Sequence, residues 1–181
     1  MKNLWKTLSS KTVYKNDFVI LKKNRIIPPV GIEKEYPIIE RISSVVIVPV
    51  DKNGIVYMIK QFRYILNKSS IEIPAGYIEK GETPLKAAKR ELAEEVDLKA
   101  KKWVFMGEMD LTASVVKAKH NFFLARDFEY MYVKPDPTED IEIVKIPIHD
   151  IIRLIEDKKI ESGPTVTGIL LALQYMKEGK I

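Results

Sequence analysis

Glu91, Glu94 and Glu95 crowd together in the stretch GYIEKGETPLKAAKRELAEEVDL, which runs from Gly76 to Leu98. On a helix Glu91 lies one turn from both Glu94 (i,i+3) and Glu95 (i,i+4), so the carboxylates share a neighbouring face. Like charges placed this way oppose the helix by roughly 0.2–0.5 kcal/mol per pair. Arg90 offsets part of that through Glu94. Such crowding is tolerable on an ordinary solvated helix face and useful where a hard divalent cation sits. Oxygen ligands in a chain with no cysteine favour Mg²⁺ or Mn²⁺ over zinc.

The helix that presents these groups is predicted over residues 84–96. Thr83 has the type of an N-cap and Pro84 occupies the first helical position, while Lys86 excludes a capping box. Leu85, Ala88, Leu92 and Val96 recur at helical spacing and are expected to face inward. Upstream, SVVIVPV (residues 44–50), the turn Asp51-Lys52-Asn53-Gly54 and residues 55–60 read as a hairpin. Residues 71–75 then lead into Gly76. Strands are expected at 103–109, 121–125 and 142–147, and a short helix at 149–157. A last helix over 164–177 should bury Ile169, Leu170, Leu173 and Met176.

Residues 11–30 alternate weakly around polar turns at Lys15-Asn16-Asp17 and Lys23-Asn24-Arg25, which predicts two or three short strands. Pro28-Pro29-Val30-Gly31 interrupts this pattern and residues 35–42 resume it. Residues 1–40 are therefore expected to form a small antiparallel β subdomain, with 41–181 as the main domain. A β unit of that size needs something larger to pack against. Strands set between helices make an α/β (α+β) sandwich with a mixed sheet the expected class.

The signature Gly76, five residues, Glu82, seven residues, then Arg90-Glu91-Leu92-Ala93-Glu94-Glu95 and Leu98 closely resembles that of the Nudix hydrolase family. One position departs, because Asp97 stands where the family has glycine. That glycine serves a left-handed backbone, which aspartate adopts more readily than most residues. The resemblance reaches from about Trp5 to Met176. Gln61-Phe62-Arg63, Glu72-Ile73-Pro74-Ala75-Gly76, Pro29-Val30-Gly31 and Thr138-Glu139-Asp140-Ile141-Glu142 are similar to the ADP-ribose pyrophosphatase branch.

That resemblance implies a Nudix-like α/β/α sandwich and a Mg²⁺-dependent (or Mn²⁺-dependent) hydrolase cleaving ADP-ribose to AMP and ribose 5-phosphate. It implies that Glu91, Glu94 and Glu95 hold the metal, with the Ala75 carbonyl completing one site and Glu139 as a further ligand or base. Asp136 and Asp140 are alternatives for the base, since Pro137 stands where relatives carry a glutamate. Arg90 is expected to orient the glutamates. Glu82 either lies in the outer metal shell or holds the loop. Gln61, Arg63 and Glu72 are expected at the substrate, with Arg63 suited to bidentate phosphate binding. The branch also implies an intertwined homodimer built through the N-terminal segment.

The branch often carries a proline in the loop after the motif, about sixteen residues beyond the last motif glycine, whose place Asp97 takes; here the proline position is Ala113. Another nucleoside diphosphate sugar is thus a second candidate substrate. A non-catalytic domain that senses such ligands is a third reading, opposed by the intact glutamates. His120 and His149 have no catalytic spacing and are expected to be structural.

A chain of 181 residues fits one domain with an added subdomain. Net charge is +5, but the lysines are scattered and no aromatic-basic stripe accompanies them, so no nucleic-acid partner is expected. No stretch is apolar for long enough to span a bilayer. MKNLWKTLSSK lacks a signal-peptide core. With no cysteine, a cytoplasmic location is the expectation.

Overall fold

The structure, a computed structural model, describes residues 4–133 and 140–179. Its chain divides into two compact units: residues through Ser43 with Met109–Lys119, and Ser44–Glu108 with the chain from His120 onward.

In the first unit, β1 (Lys6–Lys15) pairs antiparallel with β2 (Val19–Ile27), and β2 with β3 (Lys34–Arg41). The expected turn at residues 15–17 is present. Asn16 Oδ1 accepts the N–H groups of Phe18 (2.9 Å) and Val19 (2.7 Å), which closes the chain into the return strand. The second expected turn is absent. Lys23-Asn24-Arg25 lies within β2, where Asn24 is buried between Ser10 of β1 and Tyr36 of β3. Pairing on both sides overrides the turn preference of asparagine. All of β1 is exposed, including Leu8, Val13 and Tyr14.

The second unit is organised on β4 (Ser44–Pro49), buried at every position. It runs parallel to β9 (Val116–Tyr130), with Ser44 opposite His120 and Pro49 opposite Ala125. On its other edge it pairs antiparallel with β7 (Ala75–Tyr77). A continuous apolar run marks a strand covered on both faces, and the side chains divide accordingly. Val46 and Val48 join Phe122, Leu124, Ile151 of α2 (Ile148–Glu156) and Ile169 and Ala172 of α3 (Gly163–Lys177). Val45 and Ile47 join Phe123 and Ala87, Ala88, Leu92 and Val96 of α1 (Pro84–Val96). Helices thus cover both faces of a mixed sheet, giving the α/β/α sandwich. Gly168 lets α3 lie close, since a Cβ there would meet Ile73 at 2.6 Å and Val48 at 3.3 Å.

The Asp51–Gly54 turn forms, with Asp51 Oδ1 accepting the N–H groups of Asn53 (2.8 Å) and Ile55 (2.9 Å). It does not close a regular hairpin. Apart from one bridge, Val50 to Val56, β5 (Ile55–Arg63) leaves β4 for a separate sheet with β6 (Lys68–Glu72) and β10 (Ile141–Pro147). The apolar residues of β5 serve both clusters: Tyr57 and Ile59 one, Met58 the other. β8 (Leu98–Thr112) pairs with β9, and both strands run longer than their apolar stretches predict.

Helix α1 matches its predicted span. Thr83 Oγ1 accepts the Lys86 N–H at 3.3 Å. Leu85 corrects the predicted buried face: it is 37% exposed, and Ala87 is buried in its place. In α3, Leu170 is likewise 52% exposed while Thr165 and Gly168 face the core. Small residues line that contact because the helix lies so close to the sheet.

Asp97 ends α1 at φ 54°, the left-handed conformation expected of the missing glycine, and its N–H bonds Ala93 O. Its carbonyl accepts the Met131 N–H at 2.9 Å and its Oδ1 the Val133 N–H at 3.3 Å. Asp97→Val should lower stability by about 1–3 kcal/mol, the cost of a branched residue at such a backbone position. Asp97→Gly should stay within about 1 kcal/mol of the parent. Urea unfolding monitored by circular dichroism checks both, and equal losses would remove the backbone explanation.

Candidate active site

Strand β7 meets helix α1 at Glu91 and Glu95, and the loop between them is held by one guanidinium. Arg90 Nε donates to Glu82 Oε1 (3.0 Å) and Nη2 to Glu82 Oε2 (3.0 Å), a bidentate pair. Nη2 also donates to the Tyr77 carbonyl (2.9 Å), at the end of β7. On its other side Nη1 donates to Glu91 Oε1 (2.7 Å) and Glu94 Oε2 (3.0 Å). Glu82 in turn accepts the Glu79 N–H at 3.0 Å. Arg90 therefore holds three carboxylates, not only the Glu94 predicted by helix spacing. Glu82 holds the loop, one of the two roles read from the sequence.

Two contacts bring α1 onto β7. Glu95 is buried, and its Oε2 accepts the Ala75 N–H at 2.9 Å. Glu91 lies against Gly76 so closely that a Cβ built there would fall inside its carboxylate. Gly76 is thus demanded by a neighbouring side chain and not by its own backbone angles. The Ala75 main chain, expected as a carbonyl ligand, takes part through its N–H in orienting Glu95.

The charges respond to this packing. Hydrogen bonds from Arg90 hold the Glu82 carboxyl below the usual carboxylate range, against the opposing effect of burial. The same bonds, Glu82 foremost, raise Arg90 well above its ordinary value, so it is always a cation. Glu82, Glu91, Glu94 and Glu95 set four carboxylates against that one guanidinium. Among the described residues, no three acidic or imidazole side chains converge into a complete metal cage. Mg²⁺ does not require one, because it is usually bound through one or two carboxylates, with waters and substrate phosphates filling its octahedral shell. Oxygen donors in local anionic excess fit such an ion.

The predicted substrate residues lie on β5 and β6. Arg63 Nε and Nη2 pair bidentately with Glu72 Oε1 (3.0 Å) and Oε2 (2.7 Å). Burial pushes the Glu72 carboxyl up, but the hydrogen bonds and charge of Arg63, with Ser70, bring it below its ordinary value. Gln61 lies between Ser70 of β6 and Ile141 of β10. Glu139 and Asp136, with Pro137, fall outside the described residues, and Asp140 is exposed just before β10. His120 Nδ1 lies 2.6 Å from Ser44 Oγ, a contact across paired strands. His149 is an exposed helix residue 3.5 Å from Asp150. Sequence spacing did not find the Tyr77 carbonyl or the Gly76–Glu91 approach. Both join residues more than ten positions apart, beyond any helical period.

Comparison with known proteins shows the family. Residues 40–165 match the NUDIX domain family. The chain is 28% identical to the ADP-ribose pyrophosphatase of Bacillus subtilis over 95% of its own length and 92% of that protein. It is 26% identical to the ADP-ribose pyrophosphatase of Mycobacterium tuberculosis, covering 92% of this chain and 82% of the other. A crystal structure of an ADP compounds hydrolase superposes with a TM-score of 0.86 at 22% identity, covering 97% of this chain and 95% of that one, a likeness of fold. The family match spans well over half of the chain and encloses the whole loop and helix that Arg90 ties together, so the protein belongs to the NUDIX domain family of pyrophosphohydrolases.

Proposed function

We propose that the protein hydrolyses the diphosphate bond of ADP-ribose to AMP and ribose 5-phosphate, assisted by a divalent cation, Mg²⁺ or Mn²⁺. The Arg90 network carries this reading, because it gathers Glu82, Glu91 and Glu94 around one loop and leaves a local anionic excess that suits a divalent cation. Two full-length relatives named as ADP-ribose pyrophosphatases support the substrate. Glu91, Glu94 and Glu95 are the proposed metal-holding residues, with the Ala75 carbonyl and Glu139 as further ligands. When bound, the cation supplies Lewis-acid polarisation of the phosphoryl oxygens and a more acidic water.

The chain itself supplies orientation. Arg90 fixes Glu91 and Glu94, and the Ala75 N–H fixes Glu95. Water adds to one phosphorus, the bridging P–O bond breaks, and the water proton passes to a carboxylate. Glu139 is the proposed acceptor, with Asp136 and Asp140 as the alternatives. Arg63, steadied by Glu72, is the proposed phosphate contact and Gln61 a substrate neighbour. Ala113, in place of the branch's proline, favours a second reading in which the substrate is another nucleoside diphosphate sugar.

We further propose that residues 1–40 form a dimerisation subdomain of a homodimer. Exposed apolar side chains along β1 support this, since a monomer rarely leaves such a patch open. Among the described residues, no helix is long and apolar enough to cross a membrane.

Turnover across ADP-ribose, ADP-glucose, GDP-mannose and diadenosine compounds, with Mg²⁺ or chelator, tests the substrate. ADP-ribose should be cleaved fastest and only with metal, and Glu95→Gln should lose at least about a hundredfold in rate. Turnover of another sugar alone would move the substrate. Silence with tight ADP-ribose binding would make this a sensor. Arg90→Lys should lower kcat by about tenfold or more, because an ammonium cannot replace the bidentate fork. An unchanged kcat would remove Arg90 as the positioning residue. Light scattering should give a dimer mass, and a monomer mass at every concentration would refute the dimer.

A further inference from the structure

A cavity of about 710 Å³ opens beyond the Pro49 end of β4. Its wall includes Asp51, while the motif end of β4 is fixed by Val45 opposite Gly76. Six residues of strand separate these points, about 20 Å at the usual rise. The cavity is therefore distinct from the Arg90 network, and its size falls in the ordinary range for small-molecule sites.

Its chemistry is basic and aromatic. Lys52, Lys102 and Arg126 line it together with Tyr57, Phe128 and Tyr130. Lys102 precedes Val104 by two residues and Arg126 follows Leu124 by two, so each cation continues a face of its strand that begins in the core. Among the described residues none of these cations has a carboxylate partner, although Lys99 and Lys101 nearby both pair with Glu129. Exposed lysines are ordinary. A half-buried arginine without an acid is not.

The wall also carries two acids, Asp51 and Asp127, which offset part of the charge of Lys52, Lys102 and Arg126 and leave the cations in excess. Asp51 is committed to the N–H groups of its own turn. Asp127 sits at φ 53° inside β9, a left-handed residue that interrupts strand alternation. The phase shifts there: Leu124 packs in one core cluster, whereas Phe128 packs in the opposite one. Arg126 and Phe128, on either side of this left-handed residue, both line the cavity. A fourth cation, Lys145, lies over the Tyr57 ring at 4.9 Å and donates to Tyr130 Oη at 3.0 Å.

We propose that this cavity is a second ligand site, separate from the hydrolytic one, that takes a phosphate monoester of mononucleotide size. Lys52, Lys102 and Arg126 bind the phosphoryl group, and the Tyr57–Phe128–Tyr130 wall receives the organic part.

Calorimetric titration of the full chain with AMP in the presence of chelator tests this, using wild type, Arg126→Gln, Lys102→Gln and Glu91→Gln. AMP should bind wild type and Glu91→Gln alike and bind Arg126→Gln and Lys102→Gln about tenfold more weakly, the size of one lost charge-assisted contact. Inorganic phosphate should compete. Hydrolysis without added AMP should be unchanged in both basic-residue variants. Lys102 is exposed, so its variant reports even where Arg126→Gln fails to fold. Loss of AMP binding in Glu91→Gln alone would assign the binding to the hydrolytic site and overturn the proposal. So would absence of AMP binding, failure of phosphate to compete, or binding of an RNA oligonucleotide in place of AMP.

Discussion

The site depends on a single cation holding acids that would otherwise repel one another. Without Arg90, Glu91, Glu94 and Glu82 would oppose both the later turns of α1 and the closure of its preceding loop. With it, the same charges become the link between loop, helix and the end of β7. Arg90 suits this task because its planar fork serves several acceptors at once, which a lysine point charge cannot do. The remaining anionic excess suits a hard divalent cation. Function here is an arrangement of repulsion that is only partly relieved.

That arrangement needs a firm base, and β4 provides it. Each residue of the strand is buried, with helices on both sides, so β7 cannot shift along it without moving two core clusters. The main-chain N–H of Ala75 is thereby fixed, and with it the direction of Glu95. Groups on regular elements hold their geometry better than groups on loops. Gly76 completes the fit by leaving room for the Glu91 carboxylate.

Much of this was legible from the sequence because it obeys short periods. Thr83, Pro84, the apolar positions of α1 and the spacing of its glutamates all lie within one helix. The left-handed Asp97 was legible as a substitution at a position of known demand. Other features depend on partners distant in the chain. Asn24 looks like a turn residue until Ser10 and Tyr36 flank it. Residues 44–60 look like a hairpin, yet β4 and β5 find better partners in β9 and β10. Leu85 and Leu170 have the period of buried residues but fall at the margins of their helix faces, where the core gives out. The Arg63–Glu72 pair joins neighbouring strands, and only sheet pairing brings such residues together.

The departure of β5 from β4 also limits how the chain can change. Between Val50 and Val56 the direction of the pleat is set by the few residues of the Asp51–Gly54 turn. Removing or adding one residue there would present Met58 where Tyr57 and Ile59 now point, and exchange the two core clusters along the whole strand. The turn is held by the Asp51 carboxylate and the left-handed Gly54, so its length is as constrained as these two residues. An exposed loop, ordinarily the most permissive part of a protein, here acts as a fixed spacer between two sheets.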